Sequence, residues 1–174
     1  MPDIQVNSLN NCAVYIDGIG YIGRASEVDV AHPKQVMTDY KGAGMVGKLE
    51  LWAGVDKLES RIKWASFDTT ALLAASDFTV AHMFQVRGNL QQYNSLGLAA
   101  ELPVVYLMTG VFKDGGKAAF KHQEQVETES TISVYHTELW VAGIQIFLYD
   151  VYSNTYMVGG IDKLAAMKAN LGLI

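Results

Sequence analysis

Residues 13–23 read Ala13-Val14-Tyr15-Ile16-Asp17-Gly18-Ile19-Gly20-Tyr21-Ile22-Gly23, and the fold class turns on which of two patterns this stretch obeys. Gly18, Gly20 and Gly23 match G-x-G-x-x-G behind a strand-like Val14-Tyr15-Ile16, the fingerprint in which a glycine turn opens a helix onto a pyrophosphate. A helix must then follow. Instead, Ser26-Glu27-Val28-Asp29-Val30 alternates with period two and runs into His32-Pro33. Asp17-Gly18 is also a favoured dipeptide for a two-residue hairpin loop, where both turn residues need positive φ. The stretch therefore reads as a β-hairpin, with Ile22 to Val30 resuming β structure, and the chain as mainly β.

Period-two alternation recurs outward from there. Leu58, Ser60, Ile62 and Trp64 alternate with Glu59, Arg61 and Lys63, and Phe78, Val80, His82, Phe84 and Val86 form a second apolar-leaning set. Residues 102–112 and 130–141 read as two more strands, and Ala142-Gly143 turns the chain into Ile144-Gln145-Ile146-Phe147-Leu148-Tyr149. Two helices interrupt the pattern. Asp68 is placed to cap one running through Thr70 to Ala75, and Ile161 to Asn170 reads as another, with Leu164, Met167 and Leu171 on one stripe. Residues 34–48 are glycine-rich and read as a long loop, of the kind that is usually functional. Residues 1–11 carry Asn7, Ser8, Asn10 and Asn11 without periodicity and read as an arm that is loose until bound.

The chain has 174 residues, with 13 Lys and Arg against 18 Asp and Glu for a formal charge of −5, which suits one domain, 1–174. Half of the residues are hydrophobic, ample for a core. The charged fraction of 18% lies below the usual ~25%, so part of the surface is expected to meet another chain. No apolar run reaches the ~18 residues of a membrane span, and the start lacks the basic and apolar parts of a signal peptide. Cys12 is the sole cysteine, which excludes an intrachain disulfide and four-Cys or Cys₂His₂ zinc sites. A net acidic chain also argues against tight nucleic-acid binding, which needs clustered Lys and Arg.

Other motifs are weak. Gly42-Ala43-Gly44-Met45-Val46-Gly47-Lys48 matches G-x-x-x-x-G-K, but Leu49 stands where a Ser or Thr must hold magnesium. His32, His82, His122 and His136 lack metal-ligand spacing and read as interface or surface groups. Ser95 lacks the first glycine of a nucleophile elbow, and Glu127 and Glu129 read as solvated neighbours. The pairs Trp52 and Trp64, and Tyr135 and Trp140, lack the flanking basic residues of a base-stacking site and read as core or interface. No catalytic residue, cofactor or metal is expected, and the chain reads as a non-enzyme.

Four segments, in order, resemble the major tail tube proteins of contractile-tailed bacteriophages and the related R-type tailocins. They are Val14-Tyr15-Ile16-Asp17-Gly18 with Tyr21-Ile22-Gly23, Tyr40-Lys41-Gly42-Ala43-Gly44-Met45, Thr128-Glu129-Ser130-Thr131-Ile132-Ser133-Val134 with Ala142-Gly143, and Gly160-Ile161-Asp162-Lys163-Leu164 with Asn170-Leu171-Gly172-Leu173. His32-Pro33-Lys34 departs from the pattern, and residues 88–102 match nothing in it. The resemblance implies a two-sheet β-sandwich or distorted barrel with a flanking helix and a C-terminal helix (160–174). It implies hexameric rings stacked into the inner tail tube, a conduit for DNA ejection in a virion tail assembled in the bacterial cytoplasm. Implied partners are further copies of the chain, the sheath, the baseplate, the tail terminator and a tape-measure protein, with DNA passing without sequence-specific binding and no membrane involved. The inter-subunit loop would comprise Tyr40, Lys41, Gly42, Ala43, Gly44, Met45, Val46 and Gly47 within 34–48. Ring stacking would fall to Ile4 and Val6 of the arm and to Leu171, Gly172 and Leu173. The rival readings are a type VI secretion-like tube, a monomeric β-barrel for a small ligand, and an NTP-binding enzyme built on residues 42–48.

Overall fold

The computed structural model describes residues 4–116 and 128–173; His122 and Glu127 lie outside them. In chain order the elements are β1 (Val6–Ile16), β2 (Ile19–Gly20), β3 (Ala25–Asp29), β4 (Gln35–Tyr40), β5 (Leu49–Val55), β6 (Leu58–Trp64), α1 (Thr69–Ser76), β7 (His82–Asn94), β8 (Gly97–Asp114), β9 (Thr128–Val141), β10 (Ile144–Asp150), β11 (Thr155–Val158), β12 (Ile161–Asp162) and α2 (Ala165–Asn170). Ten strands form one antiparallel sheet along β12-β11-β10-β9-β8-β7-β1-β2, with β3 joined through β6 to β9, and β4 and β5 form a second sheet alone. The architecture is mainly β, as the sequence implies, and neither sheet closes.

The large sheet forks at β9. Its first half pairs with β6, from Trp64 opposite Thr128 to Leu58 opposite Val134. Its second half pairs with β10, from Asp150 opposite His136 to Ile144 opposite Val141. The two branches fold over one core, because Ile62 and Trp64 of β6 share an apolar cluster with Val14 and Ile16 of β1, Phe84 of β7 and Met108 and Phe112 of β8. Two polar side chains inside it find partners, as burial demands: Trp64 Nε1 donates to Ser130 Oγ at 3.0 Å, and Thr137 Oγ1 to the Ala31 carbonyl at 3.0 Å, whereas His82 Nε2, buried beside Phe84 and Phe112, has none among the described residues. Helix α1 closes one side with Ala71 and Ala75. Asp68 caps it by accepting from the amides of Thr70 and Ala71, an arrangement worth about 1 kcal/mol.

Several expectations are corrected. The hairpin at Asp17-Gly18 forms with φ of 50° and 82°, yet its returning strand is only Ile19–Gly20; β structure resumes at Ala25 and pairs with β6, not β1. Residues 6–11 are not a loose arm, because β1 begins at Val6 and lies against β7 from Val6 opposite Tyr93 onward. Residues 35–40 are strand β4 rather than loop, leaving 41–48 as the connection to β5. Phe78 and Val80 precede β7, and residues 88–102 extend the β7–β8 hairpin. At the C-terminus, Ile161 and Asp162 pair with β11, so helix begins only at Ala165. His82 is buried rather than superficial.

Candidate assembly surfaces

The β4–β5 hairpin stands apart from the main sheet. Its register sets Tyr40 opposite Leu49 and Thr38 opposite Leu51 on one face, and Asp39 opposite Glu50 and Met37 opposite Trp52 on the other. Tyr40, Leu49, Leu51 and Trp52 are each about half exposed. A two-stranded hairpin is marginal alone in water, and this one exposes apolar side chains on both faces, the kind of surface that marks an interaction site. At its tip, Met45 N donates to the Gly42 carbonyl at 3.2 Å, Gly44 has φ of 84°, and Val46 is fully exposed. Lys48 pairs with Asp39 at 2.8 Å, and a strand, not a helix, follows at Leu49. The eight expected loop residues, Tyr40 to Gly47, thus sit together at the end of a projecting arm.

A second surface is the ribbon formed where β1, β7 and β8 run beyond the core. Leu9, Leu90 and Leu102 line up across it on one side. One residue along, Ser8, Gln91 and Glu101 line up on the opposite side. There Gln91 Nε2 and Asn89 Nδ2 donate to Glu101 Oε1 at 2.8 and 2.9 Å, Asn10 Nδ2 donates to Gln91 Oε1 at 3.2 Å, and Tyr93 Oη donates to Gln91 at 2.9 Å. These donors hold the Glu101 carboxyl below its ordinary range. The pleat places this polar row on the same sheet face as Gln85, Leu107 and Glu138, opposite the core-facing Phe84, Met108 and Thr137.

That face continues to a second polar cluster. His136 Nδ1 lies 2.9 Å from Asp150 and its Nε2 3.2 Å from Glu138, while Glu138 accepts from Trp140 Nε1 at 2.7 Å and Gln145 at 3.1 Å. Burial pushes both carboxyls up, but hydrogen bonds outweigh it, from Trp140 first for Glu138 and from the Ser153 amide first for Asp150, so both stay below the usual range. Around these two clusters Glu101, Glu138 and Asp150 stand against the guanidinium of Arg87, which lies over the Tyr15 ring at 5.9 Å, while further along the same face Arg61, Lys63 and Lys113 are paired with Glu129, Glu27 and Glu59. The edge of β1 beyond its short pairing with β2 carries no strand partner among the described residues. Such an edge invites pairing with another chain.

The stacking candidates Ile4, Val6, Leu171 and Leu173 are all more than half exposed. Val6 ends the ribbon, and Leu171 and Gly172 follow α2, a helix with no buried residue. Trp64 proves to be core, whereas Trp52 is on the hairpin. The polar row of the ribbon escaped sequence reading; its only signal is a brief alternation, Ser8-Leu9-Asn10, Asn89-Leu90-Gln91 and Glu101-Leu102, two or three residues long in each strand.

An open mainly β fold with an unpaired edge, a two-faced projecting hairpin and broad apolar exposure defines a subunit built for assembly. The chain belongs to the family described as phage tail tube protein FII, whose model matches residues 6–172; it is a structural tail protein of the virion. It is 24% identical over 164 residues to the tail tube protein of Escherichia phage P2, covering 92% of this chain and 94% of that one. Its fold is similar to a chain in the sheath-tube complex of the extracellular contractile injection system PVC (TM-score 0.54, 9% identity, 74% of this chain and 87% of that one). It is also similar to a chain in the baseplate of the anti-feeding prophage (TM-score 0.50, 10% identity, 75% and 91%).

Proposed function

We propose that this tail tube protein polymerises, without enzymatic activity, as hexameric rings stacked into the inner tube of a contractile tail, through which DNA leaves the virion. The observation that carries the reading is the open sheet. Its long free edge and half-exposed apolar hairpin are hazards in a monomer and contact surfaces in a ring, where identical chains pair the edges. The polar face with Glu101, Glu138 and Asp150 then lines the lumen. Its excess of carboxylates repels phosphate, so DNA slides instead of being held by counterion release. Sheath, baseplate, terminator and tape-measure protein are the proposed partners, the first two in keeping with the sheath-tube and baseplate assemblies that contain chains of this fold.

Negative-stain electron microscopy with sizing of the purified protein tests this. Rings or hollow tubes of uniform diameter are expected. A strictly monomeric species at every concentration and salt, including with a baseplate present as a nucleus, refutes the reading.

A further inference from the structure

A groove of about 310 Å³ runs between the β1–β2 turn and α1. Its walls include Ile19, Leu73 and Val80, which are 53%, 74% and 47% exposed. Two carboxylates, Asp17 and Asp77, border it together with His82. Asp17 is bound by His82 Nδ1 at 2.6 Å and by the Met83 amide at 2.9 Å, and Asp77 accepts from the Thr79 amide and hydroxyl at 3.0 and 2.6 Å. Burial pushes the Asp17 carboxyl up, but its hydrogen bonds to His82 and Met83 prevail, and those of Thr79 act on Asp77, so both groups sit below the usual range and are ionised. Arg24, whose guanidinium lies over the groove-lining Tyr21 ring at 5.7 Å, is engaged by Asp68. The groove is thus apolar inside and negative at its rim.

The 41–48 tip has the opposite character. Met45 and Val46 stand between Lys41 and Lys48, and no ion pair to Lys41 occurs among the described residues. Gly42, Ala43, Gly44 and Gly47 carry almost no side-chain bulk, which lets backbone enter a narrow cleft. Six residues of β4 carry the tip about 20 Å from the hairpin base, and neither β4 nor β5 pairs with the main sheet. Another cavity among the described residues, about 290 Å³ at the hairpin base, is flanked by Lys34 and Lys163, the same sign as the tip, and so repels it.

We infer that the groove between the β1–β2 turn and α1 receives the 41–48 tip of a second copy of the chain, Val46 seating against Leu73 and Val80 while Lys41 faces Asp77. This rests on the polymer reading above and names the contact that reading leaves open. Tip and groove are different patches, so the contact is head-to-tail and each copy both gives and receives one. Apolar burial supplies most of the attraction, and the charges set register and partner choice.

Charge swapping in the full-length protein tests it. Lys41→Glu and Asp77→Lys should each raise the concentration needed for polymerisation about tenfold, and the double variant should return to within about threefold of wild type. Because Asp77 also closes the end of α1, Leu73→Asp provides an arm independent of that role: it should block polymerisation with an unchanged circular dichroism spectrum. In a Cys12→Ser background, a mixture of Val46→Cys and Leu73→Cys chains, oxidised during assembly, should give a disulfide-linked pair containing one of each. Wild-type-like polymerisation of Lys41→Glu, a double variant no better than the singles, or no mixed disulfide in tubes overturns the docking while leaving the tube intact. Failure of the wild type itself to polymerise overturns the tube reading instead, and the docking with it.

Discussion

Gly110 sits where β8 bulges against β9, between Thr109 opposite His136 and Gly110 opposite Val134. A Cβ added there collides with the Ser133 carbonyl oxygen and lies 3.0 Å from Val134 Cα, so relief needs backbone motion rather than a rotamer change. That motion displaces Val134 and Phe112, which are 4% and 1% exposed in the core. Gly110→Ala should therefore cost about 3 kcal/mol, the upper range for overpacking, and lower Tm by about 6–12 °C for a chain of this size. The bulge also lies beside the fork of β9, so tubes should form less readily from whatever folded variant remains. Gly47→Ala is the control: nothing lies within 4 Å of its Cβ, and stability should hold or rise by up to about 1 kcal/mol. Thermal unfolding by circular dichroism reads both. A Gly110→Ala melt within about 2 °C of wild type would refute the argument from backbone contact.

Three further outcomes are expected. Gly44→Val places a β-branched residue at φ of 84° in the hairpin tip, which disfavours the turn by about 1–2 kcal/mol; sizing should show a folded monomer that no longer polymerises, and normal tubes would remove the tip from the contact. Glu59, hydrogen-bonded first by Lys113 and then by Lys57, has its carboxyl lowered from 4.5 to about 2; because the shift is downward, its contribution is present above 4.5 and fades as pH falls through about 2, so carboxyl NMR should find that midpoint and Lys113→Met should raise it. Each copy carries −5, so screening by added salt should favour polymerisation, and light scattering that falls with salt would contradict this.

The sequence by itself determined the parts whose cause is local or one-sided. Asp17-Gly18 announces its turn by needing positive φ, Asp68 announces α1 by capping it, and β6 announces itself because Leu58, Ser60, Ile62 and Trp64 face the core while Glu59, Arg61 and Lys63 face water. Of the four family-like segments, those at 14–23 and 128–143 are legible for the same reason, since each is tied to a turn or a strand of the core. Tertiary structure decided the rest. Strand β1 starts at Val6 and β7 and β8 run through residues 88–102 with little alternation to reveal them, because a single chain buries neither face of that ribbon deeply. The β4–β5 hairpin is masked likewise, with apolar residues on both faces and glycines at its tip. The row of Gln91, Glu101 and Asn10 exists only once register brings three distant strands together. Period-two patterning records the contrast between core and solvent within one chain, and surfaces that one chain leaves exposed on both faces carry no such record.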